Sequence, residues 1–445
     1  MSTTPQRVLI IGAGFAGLEC ALKLANDHRF DVTLVNKTNH HLFQPLLYQV
    51  ATASLSAPDV ARSVRAVLAE ADNVKVLQDS IESIDTDAQI ATGKSDRRYP
   101  YDRLVVAAGA RTGYFGNSHW AEHTIGLKTL DDAYKLRRKV LSNLEKAELC
   151  DNHAQRQRNL TIAIVGGGPT GVELSGAFIE LIQRSMSRDF RSLNTENLRV
   201  ILIEAAPALL PPYGAHHQKY TEDRLRKLGV EVMTNTRVKD VQDKKLILED
   251  GVIEAGTIVW AAGIEAAPIT RQLPVETDRA GKITPNLDLS LPGHPEIFVA
   301  GDLVKMKDAE DKVVPGVAPA ASQMGKHIAK LLKQEAAADF NVPMSERYDL
   351  RPKFTYWDKG NMAIIGRSAA VVDAGKMQLQ GFIAWCAWLF IHVLFLIGFR
   401  SKISVLIQWA WAYINDKPGA RVFAGELDIK VKPEVQEPEL SPAER

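Results

Sequence analysis

The first residues with recognisable chemistry are three glycines, Gly12, Gly14 and Gly17, which directly follow an apolar run from Val8 to Ile11. A helical pattern of apolar residues, opened by Phe15, comes after the run. At this spacing the first glycine permits a tight bend, the second lets a pyrophosphate approach the backbone, and the third lets helix and strand pack closely. The phosphates then bind at the positive end of the helix dipole. The pattern predicts a dinucleotide-binding unit that includes the three glycines and Phe15.

A second turn of the same kind follows the apolar run from Thr161 to Val165. The next strand, "RVILIEAAP", ends in Glu204, whose carboxylate can accept hydrogen bonds from a ribose and would repel a 2′-phosphate. This favours NADH over NADPH, and a solvated strand end is the alternative. The separation between Gly171 and Glu204 exceeds the usual ~20 residues, which we attribute to the insertion "QRSMSRDFRSLNTENL". The predicted nucleotide contacts at this turn are Gly166, Gly168, Pro169, Thr170 and Gly171.

The first unit departs from the expected pattern at the end of its second strand, "DVTLVNK", which carries Asn36 where a carboxylate is usual. Asn36 can bind a ribose hydroxyl as a neutral partner, but Asn36 and Lys37 together would also tolerate a 2′-phosphate. Two turns imply two dinucleotides, most simply FAD at the first and a nicotinamide nucleotide at the second. The reverse assignment stays open.

Three further segments each combine an apolar strand with a small-residue turn. "YDRLVVAAGARTG" and "GTIVWAAGIEAAP" supply Ala108 and Gly263 at points where the chain could change domains. "PEIFVAGDLV" ends in Gly301 and Asp302, and the short carboxylate of Asp302 could bind the polyol of FAD. The predicted order is one half of an FAD domain, an inserted nicotinamide domain, and the return to the FAD domain.

Composition excludes several other classes of protein. The net charge of +1 does not support a nucleic-acid binder, which normally shows a basic excess. The three cysteines are widely separated and form no CxxC pair, so we expect no disulfide framework and no metal site. Adjacent histidines such as His40 and His41 rarely bind one ion without other ligands. A strand begins within seven residues of the N-terminus, which leaves no room for a signal peptide and predicts a cytoplasmic location.

The sequence resembles the type II NADH dehydrogenases, a group of flavoproteins with two dinucleotide-binding domains. The similarity covers roughly residues 7 to 415 and is carried, beyond the glycine turns, by "HHLFQPLLYQVATASLS", "GVAPAASQMGKHIA", "YWDKGNMAIIGR" and an apolar C-terminal stretch. The resemblance implies that a hydride passes from NADH to non-covalently bound FAD. Two electrons then go to a membrane quinone, without proton pumping.

The resemblance also implies roles for individual residues. It places Thr52 near the flavin and Tyr48 near the quinone end, although Tyr48 could also be a core aromatic. In "APAASQ", small residues such as Ala318 let the backbone approach the flavin ring, and Gln323 can bind a quinone carbonyl. Many family members have Gln where Pro319 occurs here, so only Gln323 is carried over.

Two charged residues complete the predicted site. Lys359 resembles the family lysine near flavin and quinone, where a cation would favour the anionic reduced flavin and a developing quinol oxyanion. A solvated surface lysine is the alternative. Glu173 resembles the glutamate on the NADH side, and a carboxylate stabilised by the helix N-terminus is its alternative. The predicted catalytic residues are therefore Gln323, Lys359 and Glu173.

The run from Phe382 to Phe399 contains no Asp, Glu, Lys or Arg, and its one histidine is His392. As a helix it would be about 27 Å long, close to the ~30 Å of a bilayer core. Arg400 and Lys402 follow, and a second apolar helix predicted over Ile403 to Ile414 is too short to cross. Four of the seven tryptophans cluster here, as is typical of a headgroup interface. We predict two helices that lie in one leaflet at the cytoplasmic face of the plasma membrane; a single span and a buried or dimer helix are the alternatives.

The predicted fold class is α/β. It has two Rossmann-like dinucleotide-binding domains, for FAD and NADH, with the second inserted in the first, plus a C-terminal membrane-anchoring helical segment. The segments are 1–115 (FAD domain, first part), 116–280 (NADH domain), 281–345 (FAD domain, second part), 346–420 (membrane anchor) and 421–445 (polar tail).

Three other functions remain as alternatives. A sulfide:quinone oxidoreductase needs two redox cysteines beside the flavin, whereas Cys20, Cys150 and Cys386 fall in separate segments. A soluble reductase for ferredoxin or rubredoxin would not need the tryptophan-rich tail. A non-catalytic flavoprotein would bind NADH without quinone turnover. The choice between ubiquinone and menaquinone, NADPH tolerance and a possible homodimer are left open.

Overall fold

The structure, a computed structural model, describes residues 4–183, 189–190, 193, 197–337, 350–375, 377–415, 422–423 and 427. Most of the predicted insertion before Glu204, the predicted boundary at residues 345 and 346, and nearly all of the polar tail lie outside the described residues.

A six-stranded sheet forms the centre of the larger domain. Its strands read as continuous apolar runs because both faces of the sheet are covered; Ile10, Val105 and Phe298 are fully buried. All pairs are parallel except the one at the β19 edge. The order is β19 (Ser290–Leu291), β20 (His294–Val299), β9 (Arg103–Val106), β1 (Gln6–Ile11), β2 (Phe30–Asn36) and β5 (Val74–Gln78).

Helices α1 (Phe15–Leu24) and α9 (Ala318–Ala337) pack together beside this sheet. A Cβ at Gly325 of α9 would overlap the carbonyl oxygen of Ala16 in α1, so only glycine allows this approach. The sheet therefore combines strands from the start of the chain with β20, which comes after the whole second domain.

A four-stranded parallel sheet forms the second domain, in the order β13 (Glu231–Met233), β12 (Arg199–Ile203), β11 (Thr161–Val165) and β17 (Thr257–Trp260). The strand predicted at Thr161 to Val165 has the predicted bounds. The associated helices are α5 (Leu130–Glu148), α6 (His153–Asn159), α7 (Pro169–Leu181) and α8 (Ala215–Leu228). Two short strands, β10 (Ala110–Thr112) and β18 (Ile264–Ala266), pair antiparallel where the chain enters and leaves this domain.

Smaller elements complete the two domains. Antiparallel sheets are formed by β6 (Ile81–Asp85), β7 (Ile90–Gly93) and β8 (Arg98–Pro100), by β14 (Val238–Gln242), β15 (Lys245–Leu248) and β16 (Val252–Glu254), and by β3 (His40–Leu42) with β4 (Ala61–Ser63). The short helices are α2 (Leu47–Ala51), α3 (Ala57–Val60) and α4 (Val64–Val67), with 3₁₀ turns at Gln44–Leu46, Ser118–Glu122 and Pro268–Gln272.

The C-terminal segment is a three-stranded antiparallel sheet followed by two helices. The sheet contains β21 (Asn361–Ile364), β22 (Ala370–Ala374) and β23 (Met377–Gly381), and the helices are α10 (Phe382–Phe395) and α11 (Phe399–Asn415).

The helix bounds differ from the prediction. The apolar run breaks after Phe395, where the first helix ends, and within the break Gly398 has a φ of +86°, a conformation that favours glycine. The second helix begins at Phe399 rather than Ile403, so Arg400 and Lys402 lie in its first turn. Within the described ranges, the structure contains no helix with the length and apolar character needed to cross a bilayer.

Candidate active site

The first glycine turn connects β1 to α1 and has the geometry of a phosphate cradle. Gly12 has a φ of +102°, and a Cβ there would overlap the carbonyl oxygen of Ala107. A Cβ at Gly17 would overlap the carbonyl oxygen of Gly12. A Cβ at Gly14, by contrast, would meet no atom within 4 Å. Two glycines are thus required by packing and one borders open space at the start of a helix, an arrangement that fits a pyrophosphate such as that of FAD.

The second turn, between β11 and α7, repeats this arrangement. Gly166 has a φ of +113°, and a Cβ there would lie 2.8 Å from the carbonyl carbon of Ala261. A Cβ at Gly171 would overlap the carbonyl oxygen of Gly166, whereas one at Gly168 would meet nothing within 4 Å. Pro169 and Thr170 form the start of α7 directly after Gly168. A second dinucleotide fits here for the same physical reason.

The polar residues at the ends of the second strands already bind these turns. Asn36 Oδ1 accepts from the backbone N–H of Ala13 (3.0 Å). The Glu204 carboxylate accepts from the N–H groups of Gly167 (2.5 Å) and Ala206 (2.7 Å). Because two carboxylate oxygens offer about four acceptor sites, Glu204 keeps capacity for a ribose. Lys37 is exposed beside Asn36.

The turn at Gly301 lies beside the N-terminal ends of the two packed helices, α1 and α9. The φ of Gly301 is +85°, and a Cβ there would lie 3.8 Å from the Cβ of Ala16 and 3.7 Å from that of Ala321. Asp302 follows it, with Lys128 Nζ 4.0 Å from Oδ2. Ala318 is the first residue of α9. The starts of α1 and α9 and the Gly301 turn therefore meet at the carboxyl edge of the large sheet, where ligands of such sheets bind.

The two crossover turns lie close to their glycine turns. The Cα of Ala108 would be 3.1 Å from a Cβ at Gly12. Gly263, with a φ of +77°, leaves room for Phe115, whose ring would be 2.7 Å from a Cβ there. Phe115 is largely exposed. Ala108 thus borders the first glycine turn, and Gly263 directly follows Ala262, whose backbone N would lie 2.8 Å from a Cβ at Gly166 in the second.

Gln323 and Lys359 are brought together through Trp357. The Gln323 amide donates to the carbonyl of Trp357 (3.0 Å) and accepts from its N–H (2.9 Å). Lys359 is exposed, and its Nζ lies 5.2 Å from the centre of the Trp357 ring and 4.9 Å from that of Phe395 in α10. The side-chain amide of Gln323, predicted to bind the quinone, therefore also holds the backbone of Trp357 in place. One N–H of this amide is left for another partner.

Thr52 and Tyr48 lie in the buried α2 region. Thr52 is fully buried, and its hydroxyl donates to the carbonyl of Tyr48 (3.0 Å). The Tyr48 hydroxyl accepts from Gln49 Nε2 (2.9 Å). Burial raises the pKa of the Tyr48 phenol well above its usual value. Tyr48 is thus a buried aromatic with a bound hydroxyl, the arrangement expected of the core alternative.

Glu173 lies in α7 beyond the first turn, which contains no acidic residue. Stabilisation by the helix N-terminus therefore does not explain its position. The residue keeps some solvent exposure, but burial of its carboxyl raises the pKa to about 8. Within the described part of the chain, the carboxyl accepts one hydrogen bond, from the N–H of Ile364, and this bond is long at 3.5 Å. Burial therefore favours the protonated form of this carboxyl.

The structure adds residues that the sequence reasoning missed or misinterpreted. His41, considered there only as a metal ligand, is buried, and its Nδ1 donates to the carbonyl of Ala13 in the first turn (2.8 Å). Its ring meets Phe15 edge-on at 5.0 Å. Gln49 and Trp357 were not singled out, because their roles depend on partners distant in sequence. Among the described residues no group of three or more His, Cys, Asp or Glu side chains could hold a metal.

Comparisons with known proteins agree with this geometry. Residues 6–325 match the family described as pyridine nucleotide-disulphide oxidoreductase. The chain is 41% identical to the type II NADH:quinone oxidoreductase Ndh of Mycobacterium tuberculosis, over 93% of this chain and 89% of that protein. It is 29% identical to the internal alternative NAD(P)H-ubiquinone oxidoreductase A1, mitochondrial, of Arabidopsis thaliana, over 94% of this chain and 86% of that protein. The solved structure of NDH2 from Plasmodium falciparum in complex with NADH has a similar fold, with a TM-score of 0.84 at 20% identity, covering 94% of this chain and 100% of that one.

Proposed function

The chain belongs to the type II NADH:quinone oxidoreductases, within the pyridine nucleotide-disulphide oxidoreductase family, and from this membership we infer its reaction. It is an FAD-dependent enzyme that oxidises NADH and reduces a quinone: NADH, one proton and quinone give NAD⁺ and quinol. The observation that carries this conclusion is the 41% identity over nearly the whole chain, which includes both glycine turns. FAD, when bound, supplies the acceptor for the hydride and the donor of two electrons to the quinone.

Two sets of residues bind and orient the nucleotides in this proposal. The N-terminus of α1, with Gly12, Gly14 and Gly17, binds the pyrophosphate of FAD, and Asp302 binds its polyol. The N-terminus of α7 binds NADH, with Glu204 accepting from the ribose and disfavouring a 2′-phosphate. The protonated carboxyl of Glu173 adds no negative charge against the incoming NADH. The remaining nucleotide contacts are those predicted at Phe15, Asn36, Lys37, Thr52, Ala108, Gly263, Gly301 and Ala318.

At the quinone end Lys359 supplies the positive charge. Its position between two aromatic rings holds the ammonium near α10, where it stabilises negative charge that develops on a quinone oxygen. Gln323 holds the Trp357 backbone and so keeps Lys359 in place, and its free N–H can bind a quinone carbonyl. Tyr48 lies at the same end.

We propose that α10 and α11 attach the enzyme to the cytoplasmic face of the plasma membrane, without crossing it. Large apolar side chains on both helices are exposed, among them Phe390 (67%), Ile407 (63%) and Ile414 (77%). Arg400 and Lys402 lie beside them and can approach lipid phosphates. The alternative is that the exposed apolar surfaces of α10 and α11 pair with each other in a homodimer. The proposed segment limits are those predicted from the sequence, and the position of β10 (Ala110–Thr112), where the chain enters the second domain, supports the limit near 115.

The deciding experiment separates the two half-reactions. NADH is added anaerobically to the flavin-loaded protein while the flavin absorbance is recorded, and a soluble ubiquinone analogue is then added. We expect bleaching by NADH and rapid recovery with the quinone. Bleaching without recovery would overturn the quinone assignment in favour of a protein acceptor. Bleaching by NADPH alone would mean that Glu204 does not act as proposed.

A further inference from the structure

Two consecutive hydrogen bonds, one partly buried and one buried, connect the C-terminal helix to the hydroxyl of Tyr48. The indole Nε1–H of Trp409 in α11 donates to Gln49 Oε1 at 2.7 Å. The Nε2 group of Gln49 then donates to the Tyr48 hydroxyl at 2.9 Å. Gln49 and Tyr48 are both buried. The line runs between segments that are 360 residues apart in the chain.

The direction of these hydrogen bonds follows from the chemistry of the indole. An indole nitrogen can only donate, so the carboxamide of Gln49 must turn its oxygen toward Trp409. Its NH₂ group therefore faces Tyr48, and the phenol oxygen must accept. The proton of Tyr48 is then not used in this bond. No other hydrogen bond of the Tyr48 hydroxyl occurs within the described part of the chain.

A buried phenol with an unused proton is a ready hydrogen-bond donor. Its raised pKa means that the proton stays on the oxygen at neutral pH. Glu173 lies close enough to raise the pKa of Tyr48 further when its carboxyl is ionised, yet no hydrogen bond between the two occurs in the described part of the chain. Because leaving a buried donor unpaired costs about 1–3 kcal/mol, a ligand that accepts from it is favoured.

We propose that Gln49 is a positioning residue for quinone reduction: oriented by Trp409, it makes Tyr48 a hydrogen-bond donor to a quinone carbonyl. The inference rests on the proposed function, in which Tyr48 lies at the quinone end. It also gives the docking of α11 a chemical role, since the helix that contacts the membrane sets the polarity of a group at the site.

The variant Gln49→Glu tests polarity with almost no change in shape. A carboxylate accepts from both neighbours, so the proton of Tyr48 would turn toward residue 49 and be lost to the quinone. We expect the rate of flavin reduction by NADH to stay within about twofold of the parent. The rate of reoxidation by the soluble quinone analogue should fall about tenfold, the size of one lost hydrogen bond. Equilibrium binding of the analogue to the oxidised enzyme, followed through the flavin spectrum, should weaken by a similar factor.

A double-mutant cycle separates positioning from a structural role. Tyr48→Phe alone should slow the quinone step to a similar extent, and Gln49→Glu should then cause no further loss. Trp409→Phe, which keeps an aromatic ring but removes the N–H, should produce an intermediate loss through the same pathway. Equal losses from Gln49→Glu in the presence and absence of the Tyr48 hydroxyl would overturn the inference.

Ser404→Ala is the matched control. Ser404 also lies in α11, and its hydroxyl donates to Asp59 at 2.6 Å, so it contributes to docking without touching Gln49. We expect it to leave both half-reactions near parental rates. A loss as large as that of Gln49→Glu would assign the effect to docking and overturn the inference. If the parent protein itself is not reoxidised by quinone, the proposed function falls as well; parental turnover with an unaffected Gln49→Glu overturns the inference alone.

Discussion

Charge at the candidate site is set residue by residue by the local surroundings. Lys359 is exposed, and it lies between the rings of Trp357 and Phe395, which favour a cation. Glu173, one of the other predicted catalytic residues, has the opposite environment, because burial without strong hydrogen bonds disfavours its ionised form. The site therefore combines the exposed amine of Lys359, beside two aromatic rings, with a carboxyl whose ionised form is disfavoured by burial.

The raised pKa of Glu173 predicts a pH-dependent effect of Glu173→Gln on stability. A carboxyl with a pKa of about 8 in the folded protein and an ordinary value of 4.5 when unfolded binds its proton more tightly in the folded state. Stability is therefore lost as the pH rises from about 4.5 to about 8. Glutamine lacks this penalty, so the free energy of unfolding of the variant should exceed that of the parent increasingly across this window, by a few kcal/mol at most.

Thermal unfolding at a series of pH values from 4 to 9 checks this expectation. The difference between variant and parent should be small at pH 4 and largest above pH 8. Glu249→Gln, at an exposed glutamate, is the control and should give a flat difference. A flat difference for Glu173→Gln would show that the carboxyl ionises normally.

Gly14 and Gly168 offer a matched pair that tests which nucleotide binds where. A Cβ at either position meets no protein atom within 4 Å, so both alanine variants should fold. Each methyl group would instead occupy the space proposed for a pyrophosphate. We expect Gly14→Ala to be purified with little FAD, and Gly168→Ala to retain FAD while its KM for NADH rises about tenfold or more, equivalent to ~1.4 kcal/mol. The opposite outcome would support the reversed assignment of the two sites.

At the scale of elements, α10 and α11 expose large apolar side chains, and several of their polar side chains are directed inward. Ser404 and Gln408 of α11 donate to the buried carboxylate of Asp59. His392 of α10 is buried against Trp388, and burial lowers its pKa to about 4, so it is neutral. This is the reverse of the amphipathic pattern of a helix on a soluble protein. It is the pattern expected of helices that face lipid.

One charged substitution on each helix tests the attachment. Phe390→Glu with Ile407→Glu replaces two exposed side chains, so the fold should be kept. Because burying a carboxylate in the acyl region is unfavourable, we expect binding to vesicles that contain anionic lipid to fall at least about tenfold. Flavin content and NADH oxidation with a soluble quinone analogue should not change. Cosedimentation with vesicles measures the effect.

The control for this test is Leu149→Glu, at an exposed leucine after α5 (56%). It should bind vesicles as the parent does. If the double variant still binds vesicles but changes from dimer to monomer in size-exclusion chromatography, the apolar surface is a dimer interface and the membrane proposal is wrong.

At the scale of the molecule, a buried ion-pair cluster ties the end of α9 to the edge of the large sheet. Arg351 lies 3.0 Å from Asp288 and 2.8 Å from Glu335, and Arg103 lies 3.2 Å from Glu335. All four side chains are buried. The cluster joins β9, α9 and the segment that leads into the C-terminal sheet. It therefore fixes the part of the chain that carries Lys359 to the FAD domain.

Arg351→Met should destabilise the whole molecule. It leaves Asp288 and Glu335 buried without their shared partner, a change that costs about 3–5 kcal/mol. Arg7→Met removes a pair with Asp102 that is partly exposed and should cost at most about 1 kcal/mol. Thermal unfolding of the flavin-loaded proteins measures both. Similar unfolding temperatures for the two variants would show that the cluster is not a main support of the fold.

The sequence by itself determined the features that depend on neighbouring residues. Each glycine turn is one continuous strand–turn–helix segment, so the spacing of Gly12, Gly14 and Gly17 predicted the geometry, and the strand at Thr161 to Val165 was predicted to the residue. The α/β fold class, the cofactors and the reaction followed from these segments and the family resemblance. All of them are confirmed, whereas the individual site residues remain predictions.

Tertiary structure alone decided the features that depend on distant contacts. The start of α11 at Phe399, the clamp of Gln323 on Trp357 and the partner of Gln49 were not predictable from local pattern. Trp409 reaches Gln49 across 360 residues of chain, and burial rather than residue type raises the pKa of Glu173. The physical reason is that burial and hydrogen-bond direction depend on which groups come together when the chain packs. A local sequence pattern does not specify these distant partners.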